Sequence, residues 1–414
     1  MFDFLKKSTW SFVSVVVRAI SVLLVNKIFA VQFGTGGITL LAHFQNLTGI
    51  ITQLPNDGVN RGIIRYWSGN ELGKEEKQRL FIAGFIFNLI LFLASAVIIL
   101  SFSEYFFRDF DIPSRNSSYF LLFFLGLFLF LVHLFLLAII LSFQQVRIYA
   151  IINMFTALII LGVIFLISNN ISLVYTLLAY IFSQAAGLLF SLGYIIRKKY
   201  LKIRKASLPP EGFNKLGDFV LMALSVVVFG KLTDFFVRDY AIQHFGLHTT
   251  GLWQSVVKIS DSYMMLFINT VGIVYYPQVS SLVFDPEKLR GYLLDVVRIV
   301  LVVSIVGLSL IYLFREPVLI LLFNRDFLPA EVLMPFQLTG DFFCFLSYLL
   351  TYIISAQART GIFVILQAGS AVLYIGLVLI FSDLYGIEGI PAAHAVRYGL
   401  LLVFLIFLNK RIIF

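Results

Sequence analysis

The chain has 414 residues, 60% of them hydrophobic and 13% charged, with 45 Phe and a mean hydropathy of +0.96. That balance excludes a water-soluble globular fold, because one or two anchors of ~20 apolar residues would leave most of the chain needing a charged surface. A net charge of +9 in such a chain concerns which membrane face holds the Lys and Arg, and no nucleic-acid partner is expected.

A spanning helix with a short connection takes about 33–35 residues, which leaves room for roughly twelve. Apolar runs predict helices over residues 11–33, 38–66, 79–102, 118–142, 148–168, 172–196, 214–240, 249–281, 289–314, 330–357, 361–382 and 386–408. Breaks are marked by the FGTGG stretch at 33–37, Pro209-Pro210, Asp285-Pro286 and Gly386. The opening MFDFLKKSTW leads into a helix carrying Arg18, Asn26 and Lys27 without a small-residue cleavage pattern, so no removable signal peptide is expected.

Twenty of the 31 Lys and Arg fall in the amino-terminal segment, 61–80, Arg147, 197–215, 285–290, Arg359 and the carboxyl tail. Five fall on the other side: Arg108, Arg115, Arg238, Arg315 and Arg325. The asymmetry predicts both termini in the cytoplasm. RKKYLKIRK at 197–205 reads as a topology determinant and linker, with binding of anionic head groups as the alternative. The lone Cys344 excludes an internal disulfide, a cysteine metal cluster and a CxxC redox motif.

An offset of 212 places Phe33-Gly34 on Phe245-Gly246 and Gln145-x-Arg147 on Gln357-x-Arg359. The expected organisation is an all-α membrane protein of two pseudo-symmetric six-helix lobes, 1–196 and 214–414, joined by a basic linker at 197–213 and enclosing a central cavity.

Charged side chains at the bilayer centre cost at least ~2.5–3.5 kcal/mol each and so mark a wet interior. They concentrate in helices one, two, seven and eight: Arg18, Lys27, His43, Asp57, Arg61, Lys231, Asp234, Lys258 and Asp261. On helix two Asn46, Gly49, Gln53, Asn56 with Asp57, and Asn60 with Arg61 recur every three or four residues, and on helix eight so do Gln254, Lys258, Asp261, Met265 and Asn269. Cavity lining is the expected role, against a buried polar seam.

Arg18, Lys231, Lys258 and Arg397, with Arg61 at the margin, form the candidate cationic patch, suited to phosphate or pyrophosphate. The competing reading is helix-surface ion pairs at Lys231/Asp234 and Lys258/Asp261, and for Arg61 an interface anchor. His43, Asp57, Asp261 and Asp341 are the candidates for ion coupling, with a bundle-stabilising hydrogen bond as the other reading of Asp341. His133, His244, His248 and His394 lack metal-ligand spacing, no metal site is expected, and no P-loop, dinucleotide turn, HExxH or nucleophile elbow occurs, so the chain does not read as an enzyme.

LLVNKIFAVQFGTGGITLLAHFQNL, GIIRY, GLWQSVVKISDSYMMLF and FQLTGDFF resemble bacterial Wzx-type flippases of lipid-linked oligosaccharides, those handling O-antigen or enterobacterial common antigen repeat units. The resemblance runs nearly end to end and implies the multidrug/oligosaccharidyl-lipid/polysaccharide exporter fold. It further implies alternating access and transfer of an undecaprenyl-pyrophosphate-linked oligosaccharide to the periplasmic leaflet of the inner membrane. It carries Arg18, Lys231, Lys258 and Arg397 over as pyrophosphate or acidic-sugar partners, and Trp253 and Tyr263 as sugar-stacking aromatics. Membrane lipids, a polysaccharide polymerase and a chain-length regulator are the partners it implies; no cofactor is expected, and coupling to protons or sodium stays open. Pro55-Asn56-Asp57 in helix two departs from the family pattern. The alternatives are a multidrug or cation exporter of the same fold, which should have a carboxylate-dominated cavity, a membrane-embedded polysaccharide-assembly enzyme, and a scaffold.

Overall fold

The computed structural model describes residues 2–68, 74–110, 112, 117–200, 216–217, 220–221, 223–283, 285–357 and 359–410. Every regular element among them is helical. The long helices are α1 (2–33), α2 (35–68), α3 (Lys74–Ser101), α4 (Ser117–Ser142), α5 (Val146–Ile167) and α6 (Leu173–Lys198). They continue as α7 (223–245), α8 (247–282), α9 (Pro286–Leu313), α10 (Arg325–Ala356), α11 (Thr360–Tyr385) and α12 (Gly389–Leu408). At 1.5 Å per residue the 22 residues of α5 reach ~33 Å, the thickness of a hydrocarbon core.

Eight stretches are long and apolar enough to cross a membrane, and two of them, Val13–Leu54 and Thr360–Leu408, each contain two of these helices. The protein is an all-α, multi-pass membrane protein. Among the described residues α7 and α8 are the long helices outside these stretches, and they carry Lys231, Asp234, Arg238, Lys258 and Asp261.

Two breaks are tighter than the sequence predicts. The five-residue FGTGG turn reduces to Gly34 at φ 65°, and α7 runs on to Phe245 before breaking at Gly246, φ 76°. A left-handed residue without a Cβ interrupts a helix in one step, and glycine adopts it without steric cost. The two breaks lie one repeat offset apart. Arg238, counted among the outer-side cations, is a buried residue of α7. Asp285-Pro286 acts as expected: the Asp285 carboxylate accepts from the Lys288 amide at 3.2 Å and Pro286 opens α9.

Residues 1–32 and 40–232 form one compact unit, and 33–39 with 233–414 a second. In the first, Val59, Ile63, Phe81, Phe135, Ile139, Ile152 and Ile195 pack α2 to α6 around one core, and Ala223 and Val227 of early α7 lie against Leu54. In the second, Val271, Tyr275, Leu289, Leu349, Ile353 and Leu405 join α8, α9, α10 and α12. The second unit includes the 33–39 tip, where the Thr39 hydroxyl donates to the Leu247 carbonyl at 2.8 Å. Of the expected basic linker, residues 201–213 lie outside the described residues.

Candidate functional site

Helix α2 does not stay α-helical throughout. From Pro55 to Asn60 it widens into a π-turn, as does α7 over Val227–Leu232 and α8 over Val271–Tyr275. Proline removes a backbone donor, and the wide turn takes up the mismatch without ending the helix.

Within the first unit Arg18 of α1, Arg61 of α2 and Lys231 of α7 line one cavity of about 540 Å3. The α2 stripe forms its polar wall through Gln45, Thr48, Thr52, Gln53, Asn56 and Asn60. Of the expected stripe Gly49, Gln53, Asn56, Asn60 and Arg61 line the cavity, while Asn46 is buried and Gln45 stands on the wall beside them. The aliphatic stem of Lys231 lies over Gly49, its Cδ and Cε 3.9 Å from where a Cβ would stand, an ordinary van der Waals distance. Gln45 donates to the Tyr180 hydroxyl at 3.0 Å, and Asn88 donates to Asn60 at 3.0 Å, which fixes two of the wall amides. Among the described residues no Asp or Glu lines this cavity; the Asp57 side chain lies outside them. Three cations sharing one low-dielectric chamber favour a multivalent anion and repel a cation.

The other candidates sit elsewhere. Lys258 is buried on α8 in the second unit and does not line this cavity. Arg397 of α12 is held by aromatic faces, its guanidinium 4.8 Å from the Tyr374 ring and 5.0 Å from Tyr398, with Nε donating to the Ser370 hydroxyl at 2.7 Å. That planar bracket accounts for an arginine here without an anionic ligand. Trp253 and Gln254 are buried, at 5% and 0% exposure, so neither offers a face to a sugar. Asn269 is exposed and donates to its own helix at the Met265 carbonyl, and Asp261 is exposed. His43 is buried with its ring stacked on Phe110 at 5.7 Å.

Asp341 is the most heavily engaged of the ion-coupling candidates. It is 1% exposed in the second unit and accepts hydrogen bonds from Ser260 at 2.5 Å, Gln337 at 3.1 Å and the Tyr263 hydroxyl, with the His394 ring nitrogen at 3.0 Å. Tyr263 therefore serves a carboxylate and not an open sugar face. His394, set aside in the sequence for want of metal-ligand spacing, is the partner that matters; it stands 53 residues from Asp341.

No protein-family model matches the sequence. The chain is 23% identical over 416 residues to the lipid III flippases of Escherichia coli (strain K12) and Shigella flexneri, covering 95% of this chain and of each relative. Among solved structures it is similar to an inward-facing multidrug resistance MATE family transporter of the MOP superfamily, with TM-score 0.75 at 15% identity over 96% of this chain and 95% of that one. It is also similar to the lipid II flippase MurJ in an inward closed conformation, with TM-score 0.73 at 14% identity over 98% and 87%. The chain shares the fold of these transporters.

Proposed function

We propose that the protein is a flippase of the bacterial inner membrane, with both termini cytoplasmic, that moves an undecaprenyl-pyrophosphate-linked oligosaccharide such as an O-antigen or common-antigen repeat unit to the outer leaflet. The observation that carries this reading is the cavity lined by Arg18, Arg61 and Lys231 with no carboxylate among its described lining residues. Near a protein surface each unit charge pair at 4 Å is worth about 4 kcal/mol at an effective dielectric of 20. A pyrophosphate presents several such pairs, and its prenyl chain stays in lipid. The curated relatives named lipid III flippase support a lipid-linked substrate.

Transport requires that the glycolipid be bound differently by the two access states, since equal affinity shifts no equilibrium. Asp341 with His394 is the proposed proton-linked element, and a multidrug exporter of the same fold is the second reading, favoured by the MATE likeness. The test is a reconstituted leaflet assay with defined polyprenyl-pyrophosphate sugars, with and without a pH gradient. Flipping of the glycolipid that is lost in the Arg18→Ala, Lys231→Ala double variant supports the flippase. Wild-type flipping by that variant, or transport of organic cations in its place, overturns it.

A further inference from the structure

A smaller recess of about 110 Å3 opens from the cationic cavity in the first unit, the two sharing Arg18, Gln45, Phe130, Asn153, Tyr180 and Gln184 on their walls. Its inner lining adds Ser21 and Asn26 from α1, His133 from α4, and Thr156 and Ile160 from α5. The hydrogen bonds of this lining are turned mostly to its own framework: His133 pairs with the Ser191 hydroxyl at 3.0 Å, Thr156 donates to the Ile152 carbonyl at 2.9 Å, and Asn153 to the Tyr149 carbonyl at 2.9 Å. The Asn153 carbonyl oxygen and the hydroxyl lone pairs are left as acceptors.

Asn26 is different. It is 1% exposed, and neither its amide nitrogen nor its oxygen has a hydrogen-bond partner in the protein. Buried amides are almost always paired, so a primary amide facing a recess with donor and acceptor both unused points to something that enters. Arg18 on the shared wall is the only Lys, Arg, Asp or Glu among the described lining residues. An ammonium group has no counter-charge there, and a second phosphate has no second cation.

We propose that this recess is a sugar subsite that takes one uncharged pyranose ring of the head group, the ring nearest the pyrophosphate. The inference rests on the flippase reading and names what that reading leaves open. Sugar hydroxyls donate and accept at once, as an amide does, and the apolar ring face finds Phe130 and Ile160. A water needs roughly 10–15 Å3 of such space, so the recess has room for several waters, which one ring would displace. Arg18 at the junction then holds the phosphate end while Asn26 reads the ring.

Binding is measured on the full chain in lipid nanodiscs with two probes: polyprenyl pyrophosphate alone, and the same lipid carrying one N-acetylhexosamine. The expected result is that Asn26→Leu lowers affinity for the sugar-bearing lipid at least tenfold and changes that for the bare lipid less than twofold. Thr156→Val, a change of equal size at a recess residue that the cationic cavity does not share, does the same and carries the test if Asn26→Leu fails to fold. Equal binding of both probes by the parent protein, or an undiminished sugar preference in a folded variant, overturns the subsite while leaving the flippase reading intact. Failure of the parent protein to bind either probe overturns both.

Discussion

Arg18, Lys231 and Arg397 are all intramembrane cations, and their surroundings separate them. Arg18 and Lys231 face one cavity, so Arg18→Ala or Lys231→Ala should each weaken polyprenyl-pyrophosphate binding by about 10- to 100-fold, as for loss of one charge-assisted contact. Titration of nanodisc-embedded protein measures this. Arg397→Lys should lower thermal stability by about 1 kcal/mol or more, because an ammonium loses the planar stacking on Tyr374 and Tyr398, while leaving that binding unchanged. Asp341→Asn sets an amide against groups that donate to the carboxylate and should cost at least about 2 kcal/mol in thermal unfolding. The sequence identified Arg18, Lys231 and Asp341 because a charge in an apolar run is conspicuous. It did not pair Asp341 with His394, nor find Asn26 as a recess residue, since one amide or imidazole in an apolar helix carries no mark of what it faces. Trp253 was misread for the same reason: its aromatic ring signals a sugar platform or a core residue equally well, and burial decides.

At the scale of the element, glycines with different surroundings give different costs. Gly34→Ala meets open space but a positive φ, and should destabilise by about 1 kcal/mol. Gly340→Ala would drive its Cβ into His394 and the Ala395 backbone, and overpacking of that kind costs about 1–3 kcal/mol. Thermal unfolding of the two variants, ranked against the parent, checks the order. Helix α9 has its own marker: hydrogen bonds from Lys288 hold the exposed Asp285 carboxyl below the usual range. A depressed carboxylate contributes above its unfolded pKa and is lost as pH falls through the folded one, so acidification should fray the first turn of α9, read as faster amide exchange at 287–289. Helix existence was legible throughout from apolar runs. Pro55 marked one π-turn as a departure in helix two, but the turns over Val227–Leu232 and Val271–Tyr275 contain no proline and carry no such mark.

Across the molecule, the exposed surface of α3, α5, α9 and α11 is apolar: Val97, Leu166, Val303 and Val372 are all more than 60% exposed, as lipid contact demands. Accessibility labelling should find residues around 205 and the carboxyl end on the cytoplasmic side and residues around 325 outside; the reverse pattern would refute the orientation drawn from Lys and Arg placement. The 212-residue offset anticipated the paired breaks at Gly34 and Gly246, because a left-handed step is a demand on residue type. The unit boundary near 232 was not legible, since α7 is continuous through it.

On the flippase reading, the cation-lined wall has a consequence for the stage between one cargo and the next. The wall that carries Arg18, Arg61 and Lys231 then meets the aqueous phase, where any multivalent anion finds the same charges. Inorganic phosphate should therefore slow turnover as a competitor, more than chloride at equal ionic strength.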